Sequence, residues 1–166
     1  MENLFLIVGA QRSGTSYLYQ LLDEHPNIYM AQPMYPEPKF FCDQKKYSKG
    51  KKYYLNKYFN DKSDDYKIFG EKSTSYMTVA GTAKRIYSMF PKVKLIFVLR
   101  NPIERALSNY WFSVKNGIEK ASFEYAIKNE EARISNNPMP RFSVHPWGYL
   151  TRGEYFKYIE NFILKI

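Results

Sequence analysis

Apolar residues gather in two nearly unbroken runs, Leu4-Phe5-Leu6-Ile7-Val8 and residues 93–99, where Lys94 is the only charge. Runs of this length without alternation mark strands buried on both faces. Ile68-Phe69-Gly70 reads as a third, shorter strand. Between the strands, apolar positions recur at helical spacing. Leu18, Leu21 and Leu22 share one face of a helix over 14–24, which His25-Pro26 stops. In the lysine- and tyrosine-rich stretch from residue 45, Tyr47, Tyr54, Tyr58 and Phe59 form one helical face, weakened early by Gly50. Val79, Ala83, Ile86, Tyr87 and Phe90 form another, closed by Pro91. The best-signalled helix opens at Asn101, a good N-cap, with Pro102 in the first turn and Glu104 placed to complete a capping box. Its apolar face is Ile103, Ala106, Leu107, Tyr110, Trp111 and Val114, and Asn116-Gly117 ends it. Further helices are predicted over 122–134 and from Gly153 or Glu154, the last with Tyr155, Tyr158, Ile159, Phe162 and Ile163 on one face. Residues 29–38 and 136–146 carry prolines and read as loops.

Apolar strands alternating with helices predict an α/β fold, three layers α/β/α around a mainly parallel sheet. Three good strands make a thin sheet, and the chain stops at an apolar-faced helix with no strand after it. At 166 residues the length suits one domain with a substantial core.

Composition narrows the partners. Twenty-five Lys and Arg against 16 Asp and Glu give a formal charge of +9, which favours anionic ligands. The cluster Lys45, Lys46, Lys49, Lys51 and Lys52 reads as a solvated face, or as a means of steering an anionic acceptor. The basic residues belong to no nucleic-acid-binding motif. Cys42 is the only cysteine, which excludes an internal disulfide and a cysteine-rich metal site. No run reaches the roughly 20 apolar residues that span a bilayer. A cytoplasmic location is the resulting expectation.

The chemistry sits where strands end. In open parallel sheets, ligands bind beyond the carboxyl ends of the strands. The first strand runs into Gly9-Ala10-Gln11-Arg12-Ser13-Gly14-Thr15-Ser16, with the spacing of a phosphate-cradling loop. A nucleotide triphosphatase would carry lysine at Thr15; the basic residue here is Arg12, inside the turn. The other strand ends run into Glu71-Lys72-Ser73-Thr74 and Arg100-Asn101-Pro102. Each brings a cation, and none brings the aspartate that would hold magnesium in a P-loop kinase. A small-metabolite kinase stays as an alternative that this pattern opposes.

The chain resembles the sulfotransferases that use 3′-phosphoadenosine 5′-phosphosulfate (PAPS). The branch it is most similar to contains the heparan sulfate N- and 3-O-sulfotransferases and their bacterial relatives. The matching stretches are the loop from Gly9 to Ser16, His25-Pro26, Glu37-Pro38-Lys39-Phe40-Phe41, Glu71-Lys72-Ser73-Thr74-Ser75-Tyr76, and Leu99-Arg100-Asn101-Pro102 with Arg105 and Ser108-Asn109-Tyr110. Their order matches from about residue 4 to residue 127.

The resemblance implies a P-loop-like topology and transfer of a sulfuryl group to a hydroxyl or amine of a carbohydrate or small molecule, without a metal. It implies that Gln11, Arg12, Ser13, Gly14, Thr15 and Ser16 wrap the 5′-phosphosulfate, with Arg12 and Lys72 stabilising charge on the leaving oxygen. Arg100 and Ser108 would hold the 3′-phosphate, and Glu37 would be the general base. His25, at a helix end, is read as structural, His145 lies outside the matching stretches, and Cys42 is read as a partly buried thiol without a chemical role. The family domain runs on past a helix like the last one here, so residues 1–166 correspond to its N-terminal two thirds. A truncated module that binds nucleotide or anionic glycan without turnover is the remaining alternative.

Overall fold

The computed structural model describes residues 3–60, 66–136 and 146–164. Four strands form one sheet: β1 (Leu4–Gly9), β2 (Ile28–Met30), β3 (Ile68–Lys72) and β4 (Lys94–Phe97). Their order is β2-β3-β1-β4. Every pairing is parallel: Leu6 lies opposite Glu71 on one side and Leu95 on the other, and Tyr29 lies opposite Phe69. Helices α1 (Thr15–Asp23), α2 (Gln44–Tyr47), α3 (Gly50–Tyr58) and α4 (Thr82–Met89) run between strands. After β4 come α5 (Pro102–Lys115), α6 (Phe123–Lys128), α7 (Glu130–Asn136) and α8 (Tyr155–Ile163).

β1 is central and buried along its whole length, as its apolar run predicts. Successive strand side chains point to opposite faces, so one strand feeds two cores. Leu4, Leu6 and Val8 join Phe40, Phe41, Tyr54, Tyr58, Ile86 and Phe162 on one face. Phe5 and Ile7 join Tyr19, Ile28 and Met30 on the other. Helix α1 therefore covers one face, and α3, α4 and α8 cover the opposite one. This is the predicted α/β/α arrangement.

The structure corrects several elements. β2 lies where a loop was predicted; three residues are too few to show a period, and pairing with β3 defines them. The lysine-rich stretch is two helices. Asp43 caps α2 by accepting from the amides of Lys45 and Lys46, and Gly50, at φ 81, restarts the chain as α3. The helix predicted over 122–134 is divided into α6 and α7 around Asn129. In α1, Thr15 and Tyr19 are buried while Leu21 is exposed. Of the loop predicted over 136–146, residues 137–145 lie outside the described residues, His145 among them.

Helix α5 departs furthest. Asn101 caps it as expected, accepting from the amides of Ile103 and Glu104. Glu104 does not close a capping box; its carboxylate accepts from Arg100 Nε at 3.0 Å. The buried face is Arg105, Ala106, Asn109, Tyr110 and Ser113, whereas Ile103 is 76% and Trp111 59% exposed. The cause is the partner. The helix docks on backbone carbonyls: Arg105 Nη2 donates to Tyr149 O, and Asn109 Nδ2 donates to Pro146 O. Polar side chains serve that contact beside Ala106 and Tyr110, which pack with Ala126 and Tyr149, so only Ile103, Leu107, Trp111 and Val114 of the predicted stripe turn outward.

Candidate active site

The loop after β1 has two glycines with different duties. At Gly9 a Cβ would meet Met77 Cβ at 2.8 Å, so the glycine admits the chain that follows β3. Gly14 sits at φ 89 and precedes α1 without any side-chain cap. No side chain caps the first amides of α1, and the dipole of a helix start favours an anion. Ser13 Oγ is buried without a hydrogen-bond partner. Arg12 lies at φ 70, a backbone region that non-glycine residues seldom occupy.

Beside this turn, β3 ends in Lys72, whose side chain is 1% exposed. Its Nζ lies 2.9 Å from Glu37 Oε1 and 3.4 Å from Ser16 Oγ. Glu37 also accepts from the amide and the hydroxyl of Thr74, at 3.1 Å. Tyr35 closes the group: Lys72 Nζ lies 4.5 Å from the centre of its ring, and its hydroxyl lies 2.5 Å from Ser16 Oγ. Three segments distant in sequence thus bring Ser16, Glu37 and Lys72 together. Tyr35 and Thr74 were not anticipated as site residues. Thr74 stood within a matching stretch, but no spacing rule singled out Tyr35.

A second group forms at α5. Arg12 Nε donates to Ser108 Oγ at 3.3 Å, and its guanidinium lies 4.7 Å above the ring of Phe112. Arg12 therefore stands with Ser108, while Lys72 stands with Glu37. Arg100 is half-exposed and turned to Glu104. Gln11 Oε1 accepts from Arg152 Nη1, and Arg152 also reaches Asn109 Oδ1 at 3.5 Å. Arg152 is buried, and that burial, with Arg105 nearby, lowers its pKa to about 10. A single arginine between Thr151 and Gly153 gave no sequence signal for this bond to the loop.

The remaining candidates lie apart from these groups. His25 is exposed, and its Nδ1 accepts the Asn27 amide at the end of α1. Cys42 is half-buried, and burial pushes its thiol up to about 12. Among the described residues no group of three or more His, Cys, Asp or Glu is placed to hold a metal ion. None of the described helices is long and apolar enough to cross a membrane.

The loop, the buried cation and the carboxylate against it coincide with a sequence match. The profile of the sulfotransferase domain family matches residues 2–165. The chain belongs to this family. It is 33% identical over 137 residues to membrane-associated sulfotransferase kil1 of Dictyostelium discoideum, covering 78% of this chain and 28% of that protein. It is 28% identical over 159 residues to human heparan sulfate glucosamine 3-O-sulfotransferase 3B1, covering 95% of this chain and 37% of that protein. The chain thus spans little more than a third, or less, of these relatives. The crystal structure of a sulfotransferase from Alicyclobacillus acidocaldarius superposes with a TM-score of 0.80 at 29% identity, over 98% of this chain and 68% of that one.

Proposed function

We propose that this chain is a sulfotransferase that takes the sulfuryl group from PAPS and passes it to a hydroxyl or amine, on a carbohydrate or a small molecule. Residues 1–166 are then part of one sulfotransferase domain. The carrying observation is the buried pair of Lys72 and Glu37, 2.9 Å apart, against the uncapped start of α1.

The residues present fit such a donor. The amides at the start of α1 that no side chain caps, the unpartnered Ser13 hydroxyl and Thr15 and Ser16 suit the 5′-phosphosulfate. Ser108, with Arg12 on it and Arg100 at the head of the same helix, suits the 3′-phosphate. The donor supplies an activated sulfuryl group and a phosphate leaving group. Glu37 takes the acceptor proton as the new bond to sulfur forms. Lys72 touches both Glu37 and Ser16, so its charge spans base and loop. It stabilises the negative charge that grows on the leaving oxygen, a task Arg12 shares by turning from Ser108 back over its own loop. In this reading the positive charge comes from side chains rather than from a metal. The names of the heparan sulfate relatives and the net charge of +9 support an anionic carbohydrate acceptor.

Two measurements test the reading. Titration with 3′-phosphoadenosine 5′-phosphate is expected to raise the melting temperature, and Arg100→Ala to reduce that rise. Transfer of labelled sulfate from PAPS to a glycan panel is expected in the wild type and absent in Glu37→Gln. No thermal shift at millimolar nucleotide overturns the assignment; a shift without transfer leaves a binding module.

A further inference from the structure

Glu71 precedes Lys72 on β3 and is fully buried. Its side chain points to the opposite face of the sheet. Nothing in the proposed chemistry uses it, yet it gathers three hydroxyl donors. Oε2 accepts from Tyr54 Oη at 2.7 Å and from Tyr76 Oη at 3.0 Å, and Oε1 accepts from Ser73 Oγ at 2.6 Å.

Two of these hydroxyls continue to the loop that carries Glu37. The Lys39 amide donates to Ser73 Oγ at 2.8 Å, and the Phe40 amide donates to Tyr76 Oη at 3.0 Å. Lys39 sits at φ 47, in the left-handed region that L side chains rarely adopt. The turn just after Glu37 is thus an unfavourable one, held by two bonds that end on Glu71. An ionised carboxylate only accepts hydrogen bonds. When Glu71 is ionised, Ser73 and Tyr76 therefore both aim their protons at it, which leaves their lone pairs for the loop amides. A neutral amide at position 71 would also donate, and one hydroxyl would have to turn.

The end of β3 consequently grips the loop twice. Lys72 and Thr74 hold the Glu37 carboxylate. Glu71, through Ser73 and Tyr76, holds the backbone behind it. We propose that Glu71 is a positioning residue, which fixes residues 37–40 through Ser73 and Tyr76 so that Glu37 meets Lys72 and Thr74. The catalytic part of this inference rests on the proposed function; the structural part rests on the hydrogen bonds alone.

The test uses Glu71→Gln, Ser73→Ala and Tyr76→Phe in the full chain, with two readouts. Amide hydrogen exchange is followed at Lys39 and Phe40, with β1 amides as the control for global stability. Exchange at Lys39 in Ser73→Ala, and at Phe40 in Tyr76→Phe, should accelerate about tenfold beyond any change in β1. Glu71→Gln should accelerate at least one of the two. In sulfate transfer, each variant should lose about tenfold in kcat while the KM for PAPS stays within about twofold. Ser73→Thr, which keeps the hydroxyl, should restore kcat. Loop amides that exchange only in step with β1 overturn the proposal. So does unchanged kcat in all three variants of an active wild type. An inactive wild type counts against the sulfotransferase reading instead, and the exchange data still decide the role of Glu71.

Discussion

Lys72 Nζ and Glu37 Oε1 stand 2.9 Å apart across 35 residues of sequence, with side chains only 1% and 10% exposed. Removing either partner leaves the other charge buried, at a cost of about 3 kcal/mol. Glu37→Gln should therefore lower stability as well as abolish transfer. The double variant Glu37→Gln/Lys72→Met should recover most of the stability and none of the activity. Urea denaturation beside a transfer assay separates the two effects. Full stability in Glu37→Gln alone would show that the pair is not energetically coupled.

Arg12 joins the β1 loop to α5 through Ser108 and Phe112. Ser108→Ala should weaken binding of 3′-phosphoadenosine 5′-phosphate by about tenfold, the size of a lost charge-assisted hydrogen bond. Arg12→Ala should weaken it too, and should lower kcat by about a hundredfold through loss of leaving-group stabilisation. Calorimetry of nucleotide binding and steady-state kinetics give both numbers. Equal effects of the two variants on kcat would contradict the separate roles.

The exposed members of the predicted α5 stripe give a stability prediction opposite to the one the periodicity suggests. Ile103→Lys and Trp111→Arg should change unfolding free energy by no more than about 0.5 kcal/mol, as exposed positions do. Tyr110→Ala should cost about 3 kcal/mol, because that ring is buried and its hydroxyl donates to Ala121 O. Denaturant midpoints decide. A large loss at Ile103 would mean that the stripe is covered in solution.

Burial raises the Glu71 carboxyl to about 7, although bonds from Ser73, Tyr54 and Tyr76 pull it down. The folded state therefore holds this proton more tightly than the unfolded chain does. The stability contribution is full below the ordinary glutamate value and is lost as pH rises through about 7. The loss is at most roughly 3 kcal/mol, at about 1.4 kcal/mol per pKa unit. Glu119 acts oppositely: bonds from the Ala121 amide, Tyr149 and Arg133 outweigh its burial, so its contribution is lost as pH falls. Melting curves of wild type and Glu71→Gln from about pH 5 to pH 8 should show the wild type losing ground toward the alkaline end. Parallel curves would rule this out.

The central strand, both faces of the sheet and the phosphate-type turn were legible because they depend on local patterns. An apolar run cannot be solvated, and the Gly14 turn has few backbone solutions. What escaped depends on tertiary partners. β2 exists through β3, and the buried face of α5 through the carbonyls of Pro146 and Tyr149. The pairing of Glu37 with Lys72 stood in the matching stretches as two separate residues, and only the fold joins them. Tyr35 and Arg152 carry no local signal, since a ring over an ammonium and a guanidinium on a glutamine are made by distant segments.

The tyrosine hydroxyls on Glu71 also bear on how this site is engineered. A designer who copies only residues 35–41 onto another scaffold copies the Glu37 carboxylate without what shapes its turn. The smallest portable unit adds Tyr54 from α3 and residues 71–76 from the end of β3, in the same relative placement. Sequences that exchange one of these pieces alone should express as folded proteins with a misaimed glutamate.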